Sequence, residues 1–140
     1  MAGRTARRYE RPGALVLKNQ RGEIRVDAGA ALRTQIRGHL SETLAERLCD
    51  AVADSHGAAR NLAFHDWEAM SGYDPSARLL LAKMLDESQT RFEMTHILLG
   101  SSLAGMGVSI AATLRGQAVR TYTSRDTWKQ ALVAVEHGER

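Results

Sequence analysis

The chain has 140 residues, 44% of them apolar and 25% charged, with a formal net charge of +3 and one cysteine, Cys49. That length suits a single domain able to bury a core without staples, and one cysteine permits neither an intramolecular disulfide nor a cysteine-rich zinc cluster. The longest apolar runs, such as Leu79–Ala82, fall far short of the ~20 residues that span a bilayer, and Met1–Arg11 has no apolar core of the kind a secretory signal needs, so the cytoplasm is the expected location.

Charge is uneven along the sequence. Arg4, Arg7, Arg8 and Arg11 stand against Glu10 in the first eleven residues, which leaves the remainder near neutral. The stretch is short, and Tyr9 is its only aromatic residue, so residues 1–12 are expected to form a flexible, solvated basic arm rather than a nucleic-acid contact. Residues 13–140 are expected to form the folded domain. Ala14–Leu17 is a short apolar run. Asn19-Gln20-Arg21-Gly22 reads as a turn, and Glu23–Ala28 alternates apolar with charged residues through Ile24 and Val26, the period of a half-buried strand. Leu32–Arg37 is a weaker strand candidate ending at Gly38.

From Ser41 the period changes. Leu44, Ala45, Leu48, Ala51 and Val52 fall on one helical stripe, with Ser41 as N-cap, Glu42 in the first turn, and Gly57 as the stop. Leu62–Phe64 reads as a buried strand and Met70–Tyr73 as a loop. Asp74-Pro75-Ser76 starts the second helix, with Pro75 at the first helical position. Its apolar side is Leu80, Leu81, Met84 and Leu85, extended by Phe92. Thr95–Leu99 is a strand. A third helix is expected from Ser101-Ser102 to Gly116, then a strand at Ala118–Tyr122. A last helix capped by Thr123 or Ser124 carries Trp128, Ala131, Leu132 and Val135 on one face. Strands alternating with helices imply crossover connections, and hence a parallel sheet with helices packed on it. The expected fold is α/β, one domain, a mixed and mostly parallel sheet of four to six strands with about four helices.

This order, and two local elements, resemble the STAS domain, the sulfate-transporter and anti-sigma-factor-antagonist module. A strand running into the first helix through Gly38-His39-Leu40-Ser41 matches one family element; Tyr73-Asp74-Pro75-Ser76 stands where the antagonists carry Asp-Ser-Ser. The likeness spans Leu32 to Leu132 and extends to STAS-like bacterial proteins related to the Sec14 lipid-transfer fold. It implies a non-enzymatic regulatory module that binds a protein partner, an anti-sigma-type kinase or another regulator, with homodimerisation as a further option. It also implies a switch by phosphorylation at Ser76, flanked by Asp74 and Tyr73. Two departures bear on that switch: Pro75 replaces the first Ser, and Ala77-Arg78-Leu79 replaces the usual Gly-Leu-Gly. Capping alone also accounts for Asp-Pro-Ser.

Ser101, Ser102, Gly105 and Gly107 form a second small-residue cluster, at a strand-to-helix junction of the kind where backbone N–H groups hold anions. It reads either as a ligand site, for a nucleotide phosphate for example, or as a helix cap with close packing. There is no P-loop, no nucleophile elbow, and no His beside Cys49 in sequence. His65-Asp66 with Glu68 is the one cluster resembling an acid–base or metal site, but it lacks a third ligand at a suitable spacing. No catalytic residue, cofactor or metal is therefore expected. The alternative function is a small-molecule binder, of lipid or nucleotide, with Trp67, Trp128 and the methionines lining a pocket rather than a filled core.

Overall fold

The computed structural model describes residues 6–11, 14–55, 62–88, 91–100 and 119–136. Among these, eight strands share one sheet: β1 (Ala6–Arg11), β2 (Ala14–Lys18), β3 (Gly22–Ala28), β4 (Leu32–Leu40), β5 (Leu62–Trp67), β6 (Met70–Tyr73), β7 (Met94–Leu99) and β8 (Val119–Tyr122). Three helices accompany them, α1 (Glu42–Asp54), α2 (Pro75–Ser88) and α3 (Arg125–Glu136). The third helix expected from Ser101 lies outside the described residues.

The sheet has two halves joined at β4. On one side β1, β2, β3 and β4 pair antiparallel; on the other β4, β5, β7 and β8 pair parallel, and β6 also joins β4 in parallel. The strand count exceeds the four to six expected, for two reasons. Ala6–Arg11, within the segment whose composition suggests a solvated arm, forms β1 by hydrogen bonding along β2; an edge strand draws on its neighbour's backbone and needs no apolar face of its own. Met70–Tyr73, a loop by composition, forms β6 because β4 is nine residues long. β5 takes Leu32–Gln35, and the remaining end of β4, Gly38–Leu40, receives β6.

Gly38 is what lets β4 continue past the point where the sequence pattern ends it. Its φ is +73°, and a Cβ there would lie 2.5 Å from the Arg21 carbonyl oxygen. Only glycine takes that backbone conformation without cost while another segment of backbone approaches so closely.

Each face of the sheet has its own core. Alternation on β3 and β4 places Ile24, Val26, Leu32 and Ile36 on the first face, under Leu44, Leu48, Leu81 and Leu85 of α1 and α2. Phe64, Leu98 and Tyr122 lie on the second face beneath Trp128, Leu132 and Val135 of α3. Trp67 and Met84 are buried in the first core, in line with the filled-core reading of these residues. Phe92 also joins that core, from the turn before β7 rather than from α2. Burying a side chain of this size contributes roughly 1.5–3 kcal/mol, so the helical stripes hold α1, α2 and α3 on the sheet.

Arg91 closes α1 at its far end. It donates from Nη1 to Val52 O at 2.7 Å and from Nη2 to the Ser55 carbonyl and hydroxyl oxygens. The last carbonyls of a helix lack internal partners and carry partial negative charge, so a guanidinium is well placed there.

Candidate functional site

Leu40 of β4 pairs in register with Tyr73 of β6. Because the strands are parallel and each runs into a helix within two residues, the N-termini of α1 and α2 come to lie side by side. Two sets of unpaired N–H groups, each with the positive end of a helix dipole, thus share one end of the sheet.

Asp74 sits between them. Its backbone carbonyl accepts from Ala77 N and Arg78 N, so it opens α2 as the sequence predicts. Its carboxylate, however, serves the other helix. Oδ2 accepts from Glu42 N at 3.0 Å and Oδ1 accepts from His39 Nε2 at 2.7 Å. These two donors, His39 first, hold the Asp74 carboxyl below the usual carboxylate range. Ser41 Oγ caps the same helix by accepting from Leu44 N, and Asn19 Nδ2 donates to that oxygen at 3.2 Å. Asn19 Oδ1 in turn accepts from Arg21 N and Gly22 N. The β2–β3 turn, the β4–α1 junction and the β6–α2 junction are thereby one hydrogen-bonded unit.

Tyr73 is half-buried against the first core, and Ser76 is half-buried in the first turn of α2. One turn on, at the i+3 position that shares a helix face with Ser76, Leu79 is 63% exposed, the most exposed large apolar side chain among the described residues. Helix-start chemistry in the sequence points to Tyr73, Asp74 and Ser76 together; it does not point to His39, Asn19 or Leu79. The contact between His39 and Asp74 spans 35 positions and follows from the β4–β6 register, for which Met70–Tyr73 gives no strand signal. Ser101, Ser102, Gly105 and Gly107 lie outside the described residues.

The other polar cluster has a different character. Asp66 and Glu68, at the end of β5, converge on Arg125 at the start of α3. Arg125 Nη2 donates to both Asp66 oxygens at 2.9 Å, and Nε donates to Glu68 Oε1 at 2.7 Å. With both carboxylates committed to a guanidinium, the pair acts as a clasp between strand and helix. No group of three metal-ligating side chains occurs among the described residues. His65 is fully enclosed: Thr34 Oγ1 lies 2.6 Å from its Nδ1 and accepts from Trp67 Nε1 at 3.1 Å. Burial, with a smaller contribution from His96, pushes the His65 pKa down to about 3, so the ring is neutral. His96, stacked on Phe64 and 2.8 Å from Tyr122 Oη, is pushed down to about 4 by burial and by Arg120. Both histidines are neutral core residues. Cys49 is half-buried and donates to Leu80 O; burial pushes its thiol up to about 11, away from the nucleophilic thiolate.

No family model matches the sequence, and no curated protein matches it either. A solved structure does: an uncharacterised protein of the DUF3478 family with a SpoIIAA-like fold from Shewanella loihica PV-4, at 14% identity and a TM-score of 0.60, covering 82% of this chain and 97% of that one. A likeness at this identity concerns the backbone alone, and it is consistent with the mixed α/β sheet described above. The protein has the SpoIIAA-like fold, the fold of the STAS and anti-sigma-factor-antagonist type.

Proposed function

We propose that this protein is a non-enzymatic regulatory module that binds a protein partner through the surface formed by Tyr73, Asp74, Ser76 and Leu79, and that phosphorylation of Ser76 controls that binding. The observation that carries the reading is the meeting of two helix N-termini beside an exposed apolar side chain, at one end of the sheet. Leu79 supplies apolar area that a partner would bury. Helix N-termini tolerate added negative charge, so a phosphate on Ser76 leaves the fold in place. It also adds about two negative charges next to Asp74 and Glu42, which disfavours any partner surface fitted to the unmodified site. The partner suggested by the fold resemblance is an anti-sigma-type kinase or another regulator.

The test is quantitative affinity capture from native extract with three baits: the unaltered protein, Ser76→Glu, and Lys129→Glu on the exposed side of α3. A partner retained by the first and third baits and lost from the second is the expected result. Equal retention by all three would refute this surface. Recovery of a second copy of the protein instead would assign the face to self-association.

A second reading, small-molecule binding, draws on a cleft on the opposite face of the sheet. Its volume of ≈ 220 Å³ and its charged lining suit neither an acyl tail nor a whole nucleotide.

A further inference from the structure

The Asp74 carboxylate that joins the two helix starts also orients a histidine. Strand pairing sets His39 of β4 opposite Gly72 of β6, two residues before Asp74. The imidazole turns its Nε2 to Asp74 Oδ1 at 2.7 Å, while Glu42 N holds Asp74 Oδ2 at 3.0 Å. An ionised carboxylate only accepts hydrogen bonds, so Nε2 carries the proton. In the neutral ring the remaining lone pair therefore lies on Nδ1.

That nitrogen is uncommitted: among the described residues, His39 Nδ1 has no hydrogen-bond partner. The other two described histidines differ. His65 and His96 are buried, and their Nδ1 atoms are engaged by Thr34 and Tyr122. The His39 side chain is 20% exposed. Gly72 sets the room beside it. A Cβ at Gly72 would lie 3.4 Å from His39 Nδ1 and, residues 71 and 73 aside, would meet no other heavy atom within 4 Å. Gly72 does not adopt the left-handed backbone conformation, so what glycine supplies here is space next to the imidazole.

We infer that His39 is a phosphoryl acceptor, modified at Nδ1 by a donor of the phosphoramidate class, the chemistry of a phosphohistidine on another protein. The Nδ1 lone pair attacks phosphorus. The P–N bond of the donor breaks, and its electron pair stays with the donor nitrogen, which leaves as a neutral amine or imidazole. One P–N bond replaces another, so the transfer needs no further co-reactant. The Nε2 proton remains on the His39 ring, which becomes positively charged, and the Asp74 carboxylate offsets that charge across their hydrogen bond. The N-termini of α1 and α2 beside the ring favour the anionic donor and product. A metal would need further ligands, and no group of three occurs among the described residues. The modification is separate from any at Ser76 and does not depend on it.

Reaction of the full-length protein with potassium phosphoramidate tests this, followed by ³¹P NMR and by peptide mapping under alkaline conditions that preserve the P–N bond. His56 and His137, outside the described residues, serve as internal references. His39 is expected to be labelled at Nδ1, and about tenfold faster or more than either reference. Asp74→Asn, which removes the offsetting charge, and Gly72→Val, which fills the space beside Nδ1, should each slow labelling of His39 about tenfold. The references should react as before, and the ¹⁵N spectrum of each variant should stay native. Labelling of His39 no faster than the references, labelling at Nε2, or a rate unchanged in either variant would overturn the proposal.

Discussion

The two polar clusters at the ends of parallel strands use similar residue types for opposite ends. At β5, Asp66 and Glu68 are closed onto Arg125, and Asp66 is 7% exposed. At β4 and β6, Asp74 is also fully engaged, through His39 and Glu42 N, but the surface around it stays open, with Ser76 half-buried and Leu79 exposed. A carboxylate that meets a guanidinium across a strand–helix gap fastens the gap. A carboxylate that caps the neighbouring helix instead aligns two helix starts and leaves Leu79 exposed beside them. Counting acidic residues does not separate these roles; what lies opposite each carboxylate does.

The largest expected effect tests whether the β4–α1 junction depends on its backbone. Gly38→Ala forces a side chain into φ +73° and against the Arg21 carbonyl. It should lower stability by about 3 kcal/mol, measured by denaturant unfolding, and weaken partner capture as well. A variant as stable as the parent would show that the junction does not need its special geometry.

Arg125→Ala separates the two clusters. It strands Asp66 near the second core and should cost about 2 kcal/mol, less than a fully buried pair because Arg125 is itself partly exposed. Partner capture by the folded fraction should be unchanged. A loss of capture without a loss of stability would reverse the assignment of roles.

Acidification reaches the interior between the clusters. The folded pKa values of His65 and His96, about 3 and about 4, lie below the ordinary 6.5. Above pH 6.5 the rings are neutral in both states and contribute nothing to pH dependence. Below it the unfolded state binds protons that the folded state refuses. Stability therefore falls as pH drops from 6.5 toward 3, with His65 alone accounting for about 2 kcal/mol at pH 5. His65→Gln should flatten that slope in a pH series of unfolding curves; an unaltered slope would place the titration elsewhere. The smallest effect is that of Asp74→Asn, which should lower the melting temperature only slightly, since Ser41 still caps α1.

Much of the fold is legible in the sequence, because local signals and tertiary demands agree there. Ile24 and Val26 alternate, Ser41 and Pro75 start their helices, and the Trp128-Leu132-Val135 stripe meets the second core. β1 is not legible, since Arg7, Arg8 and Arg11 carry no apolar pattern and the strand exists through its neighbour's edge. β6 is hidden because Gly72 and Ser71 are turn residues by composition, and only the spare length of β4 makes them a strand. Of the site, Tyr73, Asp74 and Ser76 can be located from helix-start chemistry. The partners of Asp74, and the clasp from Asp66 to Arg125 across 59 positions, depend on strand register, which no local pattern encodes.

The central claim is that a partner docks on the α1–α2 junction rather than on the clasped side of the sheet. Hydrogen exchange on the captured complex tests it most directly. Exchange is expected to slow at residues 39–43 and 73–80 on binding, with the amides of α3 unchanged. Protection confined to α3, with the junction exchanging as in the free protein, would contradict it.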